Sequence, residues 1–162
     1  MLHDWLSEAA TDADRALLRA YLDGTGAIVI GRRWFDKNEG EDGWGTGGPL
    51  GDTPCFVVTH NLPSRQHPPV STFVTDGVAA AIKHAKDLAR DKAVGLHGAT
   101  VMQQALPLGL VDEFRLHVVS VLLGGGTPLF SRLDDAISLE RTDVLATPSA
   151  THLRFSVSTL MS

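Results

Sequence analysis

One cysteine, Cys55, is all that the 162 residues contain. A disulfide-framed fold is thereby excluded, as are an all-cysteine zinc site and a cysteine-ligated iron–sulfur cluster within one chain. Lysine and arginine form no run, and 14 of them stand against 19 acids for a net charge of −5. Electrostatic capture of nucleic acid or of an anionic membrane is therefore not expected. No apolar stretch approaches the length that crosses a bilayer. Asp4 and Glu8 stand where a signal peptide would be basic and then apolar. The expectation is a cytoplasmic protein. Its length suits a single domain over residues 1–162, large enough to bury a core without staples.

Several catalytic signatures are also missing. No His is followed two residues later by Glu, and Pro54-Cys55 lacks the second cysteine of a zinc deaminase. No Gly-x-Ser-x-Gly elbow occurs. The seven histidines include no pair at metal spacing on one helix, so no metal site is predicted and most are assigned to surface or structural roles. Cys55 lies in an apolar strand with no cation beside it, which describes an inert thiol. Gly43-Trp44-Gly45-Thr46-Gly47-Gly48 fits G-x-G-x-x-G. Pro49 follows where a dinucleotide site needs a helix, so the segment reads as a glycine loop.

The elements that are present alternate. Thr11 and Asp14 have capping-box spacing, with Asp in place of Glu or Gln, ahead of a helix over roughly 12–23. Gly24 is its expected left-handed stop. Ala27–Ile30 and Cys55–Thr59 are short apolar runs of the kind that form buried strands. Residues 37–54 read as loop, and Thr72–Thr75 as a third strand. Asp76 is the expected cap of a helix carrying Val78, Ile82, Ala85 and Ala89 on one face. Ala93–Leu96 is a fourth strand, Ala99–Leu106 a short helix stopped by Pro107, and Phe114–Leu123 a long strand broken by three glycines. Asp112-Glu113 is read as the turn before it. Segments near Ile137–Leu145 and His152–Thr159 form a C-terminal β-hairpin. The order describes an α/β fold with a mixed sheet and helices on its faces.

Three strand-to-turn junctions carry groups suited to phosphate. Gly31-Arg32-Arg33 brings two guanidiniums, Thr59-His60 a hydroxyl and an imidazole, and His97-Gly98-Ala99-Thr100 a turn opening a helix. Ligands of open α/β sheets gather beyond the carboxyl ends of the strands. Singly each is ordinary turn chemistry; jointly they point to a phosphorylated cofactor.

These junctions, with Phe73–Gly77, Gly109-Leu110-Val111-Asp112-Glu113 and Leu122–Phe130, resemble the reductase domain of riboflavin-biosynthesis deaminase-reductases. That domain has a dihydrofolate reductase-like fold, in three layers with a mostly parallel sheet. The resemblance implies NADPH as cofactor and hydride transfer to a pyrimidine- or pteridine-type small molecule. By resemblance Gly31 with Arg32 or Arg33 meets the 2′-phosphate, with Thr59 and His60 close by. His97, Gly98, Ala99, Thr100 and Val101 wrap the pyrophosphate, and Gln104 lies beside adenine.

Relatives also open with a strand that touches nicotinamide and substrate. Met1–Leu6 resembles the segment directly after that strand, so the strand itself is expected to be missing at the chain start. Trp34 stands where relatives commonly carry a threonine. For the catalytic acid, the candidates are Asp14, which also reads as a helix-capping residue, and His117 on the long strand. A homodimer is implied. The other readings are a non-catalytic nucleotide-binding or interaction relative and a true dihydrofolate reductase.

Overall fold

The computed structural model describes residues 4–6, 10–39, 44, 47–130, 133 and 136–158. The chain divides into two compact units. One comprises Gly24–Leu110 with Leu129–Ser131; the other comprises Met1–Asp23, Val111–Pro128 and Arg132–Ser162.

The unit built on Gly24–Leu110 holds a four-stranded parallel sheet. Its strands are β1 (Thr25–Gly31), β2 (Cys55–Val58), β3 (Ser71–Val74) and β4 (Ala93–His97), in the order β3-β2-β1-β4. Ala27, Ile28, Val29 and Ile30 have no solvent exposure, so the apolar run is the central strand, covered on both faces. On one face Ile28, Ile30, Cys55 and Val57 pack with Phe35, and Trp34, Trp44, Leu50 and Phe73 close over them. Each such side chain contributes about 1.5–3 kcal/mol on burial. Burial also pushes the Cys55 thiol up to about 12, which leaves it unreactive.

Helix α3 (Val78–Ala89) turns Val78, Ala81, Ile82, Ala85 and Ala89 inward, as their spacing predicts. It passes so close to β1 that a Cβ on Gly26 would stand 2.8 Å from the Ala89 Cα and 2.9 Å from its carbonyl oxygen. Backbone cannot yield as a side chain can. Gly26→Ala is therefore expected to cost about 1–3 kcal/mol, seen as a lower denaturant midpoint at unchanged slope.

The other unit holds an antiparallel sheet of β5 (Glu113–Val119), β6 (Ser138–Ala146) and β7 (Ala150–Ser158), in the order β5-β7-β6. Strands β6 and β7 form the predicted hairpin, with a register shift between Arg141 and Asp143. Helix α1 (Asp12–Gly24) belongs here, and Asp4–Leu6 form a 3-10 turn.

The α/β class, with parallel strands flanked by helices and a C-terminal hairpin, is as expected; the parallel and antiparallel strands form separate sheets. Several details are corrected. Residues 32–38, partly assigned to loop, are helix α2 (Arg32–Asn38). Burial of Phe35, the Arg32–Asp36 ion pair and the bond from Asn38 to the Trp34 carbonyl hold it. Gly24 does not take the left-handed conformation, because β1 leaves α1 without a turn. Asp76 does not cap α3; Gly77 does, with φ +89° and no side-chain bond.

Glu113 is the first residue of β5, which ends at Val119 rather than Leu123. Glu113 anchors Arg115 and Arg154 on one sheet face, whereas Leu122 and Leu123 are solvent-exposed and gain nothing from pairing. The segment expected to follow the family's missing first strand includes Met1–His3, the glycine loop involves Gly43, Gly45 and Thr46, and the last strand includes Thr159; these lie outside the described residues. Among the described residues no helix is long and apolar enough to cross a membrane.

Candidate functional site

The parallel register places the predicted junctions side by side. Gly31 pairs with Val58, Ile30 with His97, and Val58 with Val74. The carboxyl ends of all four strands therefore share one edge, which carries Arg32, Arg33, Thr59, His60, His97 and Gly98. In an open α/β sheet this is the edge that receives ligands.

The predicted residues on it are not equivalent. Arg32 grips the Asp36 carboxylate with Nε at 2.7 and 2.8 Å and lies over the Phe73 ring at 5.5 Å. Arg33, next along, is exposed and makes no ion pair among the described residues. Thr59 is buried, and its hydroxyl donates to the Asn61 carbonyl at 2.8 Å, closing the turn before His60, which is exposed.

His97 ends β4 half-buried, and burial holds its imidazole below its ordinary range, so it is neutral. Its ring meets Trp34 edge-on at 6.0 Å, and Trp34 in turn lies parallel to Trp44 at 6.2 Å. Gly98 follows at φ +93°, a conformation that side chains resist. It opens α4 (Ala99–Ala105), where Thr100 is exposed and Val101 is buried 3.7 Å from where a Cβ on Gly31 would lie. Gln104 is exposed and bonds back to the Thr100 carbonyl at 3.0 Å.

Asp14 and His117 come together in the other unit, through a residue that sequence reasoning missed. Asp14 is fully buried at the start of α1 and uses its two oxygens for different tasks. Oδ2 accepts the Thr11 N–H at 2.7 Å and the Thr11 hydroxyl at 2.8 Å, while the Asp14 N–H donates to Thr11 Oγ1 at 3.2 Å. This is the predicted capping box. Ser149 adds a hydroxyl at 3.3 Å. Oδ1 meets Nε2 of His152 at 2.8 Å, with His152 itself only 3% exposed.

Burial alone would raise the Asp14 carboxyl. The Thr11 N–H, His152 and the Thr11 and Thr147 hydroxyls outweigh burial and hold it well below its ordinary value. It is an anion, so His152 must present Nε2–H to it.

His152 pairs across the sheet with His117, and their Nδ1 atoms lie 2.7 Å apart. Trp5 stacks on His117 at 4.3 Å and meets His152 edge-on at 5.1 Å. Burial, then the neighbouring His152 and Arg115, lower the His117 imidazole to about 4. No signal in the sequence announces His152, because 138 residues separate it from Asp14 and only the β5–β7 register sets it against His117. Among the described residues no group of three or more His, Cys, Asp or Glu could hold a metal ion.

The parallel sheet flanked by helices and the antiparallel hairpin sheet make this a mixed α/β protein of the dihydrofolate reductase-like fold. The RibD C-terminal domain family matches residues 3–153, and the chain belongs to that family. It is 27% identical over 136 residues to YwjB, an uncharacterised protein of Bacillus subtilis strain 168, covering 84% of this chain and 75% of that one.

Two solved structures share the fold. A Shewanella sp. PV-4 protein ascribed to riboflavin biosynthesis has a TM-score of 0.71 at 20% identity, over 96% of this chain and 88% of that one. A Thermotoga maritima diaminohydroxyphosphoribosylaminopyrimidine deaminase/5-amino-6-(5-phosphoribosylamino)uracil reductase has a TM-score of 0.62 at 15% identity. That alignment covers 94% of this chain and 51% of the bifunctional one, so the chain spans about half its length.

Proposed function

We propose that this protein is an NADPH-dependent reductase acting on a pyrimidine- or pteridine-type small molecule. The 5-amino-6-(5-phosphoribosylamino)uracil class named for the Thermotoga relative is the first choice. The observation that carries the reading is the shared edge of four parallel strands. On it stand a left-handed glycine and an exposed arginine that is unpaired among the described residues.

Those residues fit the cofactor. Arg33 offers a planar fork to a 2′-phosphate, which Arg32, already engaged by Asp36, does not. His60 lies one residue beyond Thr59, whose hydroxyl shapes the turn rather than binding directly. At Gly98 nothing but the Trp34 side chain lies within 4 Å of where a Cβ would stand, leaving backbone accessible to a pyrophosphate. Gly31, His97, Ala99, Thr100 and Val101 shape that edge, and Gln104 is the candidate for adenine. When bound, NADPH supplies the hydride. Asp14 and His117 are the protein's own proton-handling groups. The working form proposed is a cytoplasmic homodimer, with exposed Val118, Leu122 and Leu123 in support of the dimer alone.

The test is a calorimetric titration with NADPH and NADH, followed by substrate-dependent oxidation of NADPH. Preferential NADPH binding and turnover of the ribosylaminopyrimidine are expected. Binding without turnover would make the protein a non-catalytic relative, and turnover of dihydrofolate alone would make it a dihydrofolate reductase.

A further inference from the structure

We propose that Asp14, His152 and His117 form a proton relay that loads and unloads at Nε2 of His117. His117 is its exposed end, and His152 and Asp14 are positioning residues behind it. The inference deepens the reductase reading and rests on it.

The geometry leaves few ways to place the protons. Asp14 is anionic and accepts from His152 Nε2 at 2.8 Å. The two Nδ1 atoms stand at 2.7 Å, and a contact that short needs one proton between them, since two would collide and none would leave facing lone pairs. At rest His117 owns that proton. Its Nδ1–H donates to the bare Nδ1 of His152, and Nε2, on the far side of an exposed ring, is a free lone pair. When a proton arrives at Nε2, His117 becomes the other neutral tautomer. The shared proton then belongs to His152, and the positive charge lies beside Asp14 rather than on the exposed ring.

The surroundings favour that division of charge. Facing His117 on β5 is Arg115, and on β7 are His152 and Arg154; both arginines are held by Glu113, with Asp143 of β6 opposite Arg154. From α1 comes Asp14, and Trp5 covers both rings. A charge on His117 would face Arg115 with only part of Glu113 left to offset it. A charge on His152 has a dedicated carboxylate. His152 and Asp14 are 3% and 0% exposed, so water offers no competing route for the inner proton.

On the reductase reading, bound NADPH would supply the hydride and the relay the proton that saturating a C=N or C=O bond requires. A base that takes the proton from His117 Nε2 leaves that lone pair bare again. The Nδ1 proton of His152 returns to His117, and the relay is neutral apart from Asp14. One hydride and one proton are consumed for each bond reduced.

The experiment is a nitrogen-15 NMR titration of the histidine side chains in the full chain, from mildly alkaline to mildly acidic pH. The expected result is a first uptake step in which two things change together. His152 becomes protonated on both nitrogens, while His117 stays neutral and exchanges its Nδ1 proton for one on Nε2. In Asp14→Asn that step should move to lower pH, because the neighbouring opposite charge is lost.

In His152→Gln, which keeps an amide donor for Asp14, His117 should titrate alone, still lowered by burial and Arg115, with no tautomer exchange. This second variant decides the matter if Asp14→Asn does not fold. A wild-type His117 that becomes doubly protonated before His152 does, or that never changes tautomer, overturns the relay. The titration needs no substrate, so absence of NADPH oxidation would refute the reductase reading while the tautomers still judge the relay.

Discussion

Asp14→Ala is expected to be the most damaging single substitution in the chain, destabilising it by about 3–5 kcal/mol at neutral pH. The carboxylate is fully buried, and its two oxygens serve the cap of α1 and the buried face of β7 at once. Removing it leaves the Thr11 N–H without its acceptor and His152 with a buried, unpaired Nε2–H. Loss of an N-terminal capping bond alone costs about 1 kcal/mol, so a measured loss no larger than that would mean the His152 contact contributes nothing. Denaturant unfolding of wild type and variant decides it.

The pH dependence separates two groups. Asp14 titrates in the folded state below its ordinary value of 3.8, so its contribution is complete above that value and fades only as pH falls beneath it. His117 acts earlier. Its imidazole is lowered from 6.5 to about 4, so between those values the unfolded chain binds more protons and stability declines as pH falls. Hence His117→Gln should flatten the decline in that window, and Asp14→Ala the decline below it. A wild-type curve that is level from 6.5 to 4 would contradict the His117 assignment.

How much of this was legible in the sequence depends on the range of the interaction. Apolar runs and helical spacing gave the central strand, α3 and the hairpin, because burial on both faces or on one leaves a local pattern. The shared edge of strand carboxyl ends was legible too, since parallel connections bring those ends together. Helix α2 was not. Its seven residues follow a glycine and precede a glycine-rich stretch, and it is held by Phe35 reaching the sheet rather than by propensity. Nor was His152, whose two partners lie 138 and 35 residues away. For Asp14 the sequence offered a choice between a capping acid and a site acid; the structure shows the capping bonds on Oδ2, while Oδ1 meets His152.

Arg33→Ala should weaken NADPH by about 10–100-fold, the worth of roughly 1.5–3 kcal/mol for hydrogen bonds to a charged group. NADH should be nearly unaffected, because it lacks the 2′-phosphate. The same sequence motif supplies an internal control. Arg32 holds Asp36 at i,i+4, an exposed arrangement worth only about 0.3–0.5 kcal/mol. Arg32→Ala should therefore loosen α2 slightly and change both cofactors by similar small factors.

Salt offers a second discriminator. An exposed guanidinium–phosphate pair is screened, so the NADPH preference should shrink as ionic strength rises, and the Arg33 variant should show little of that dependence. Equal losses for NADPH and NADH in Arg33→Ala would remove the 2′-phosphate from this strand end. A larger NADPH loss in Arg32→Ala than in Arg33→Ala would show that Arg32 leaves Asp36 to meet the ligand. In that case Asp36→Ala, by freeing Arg32 in advance, should bind NADPH more tightly than the wild type does.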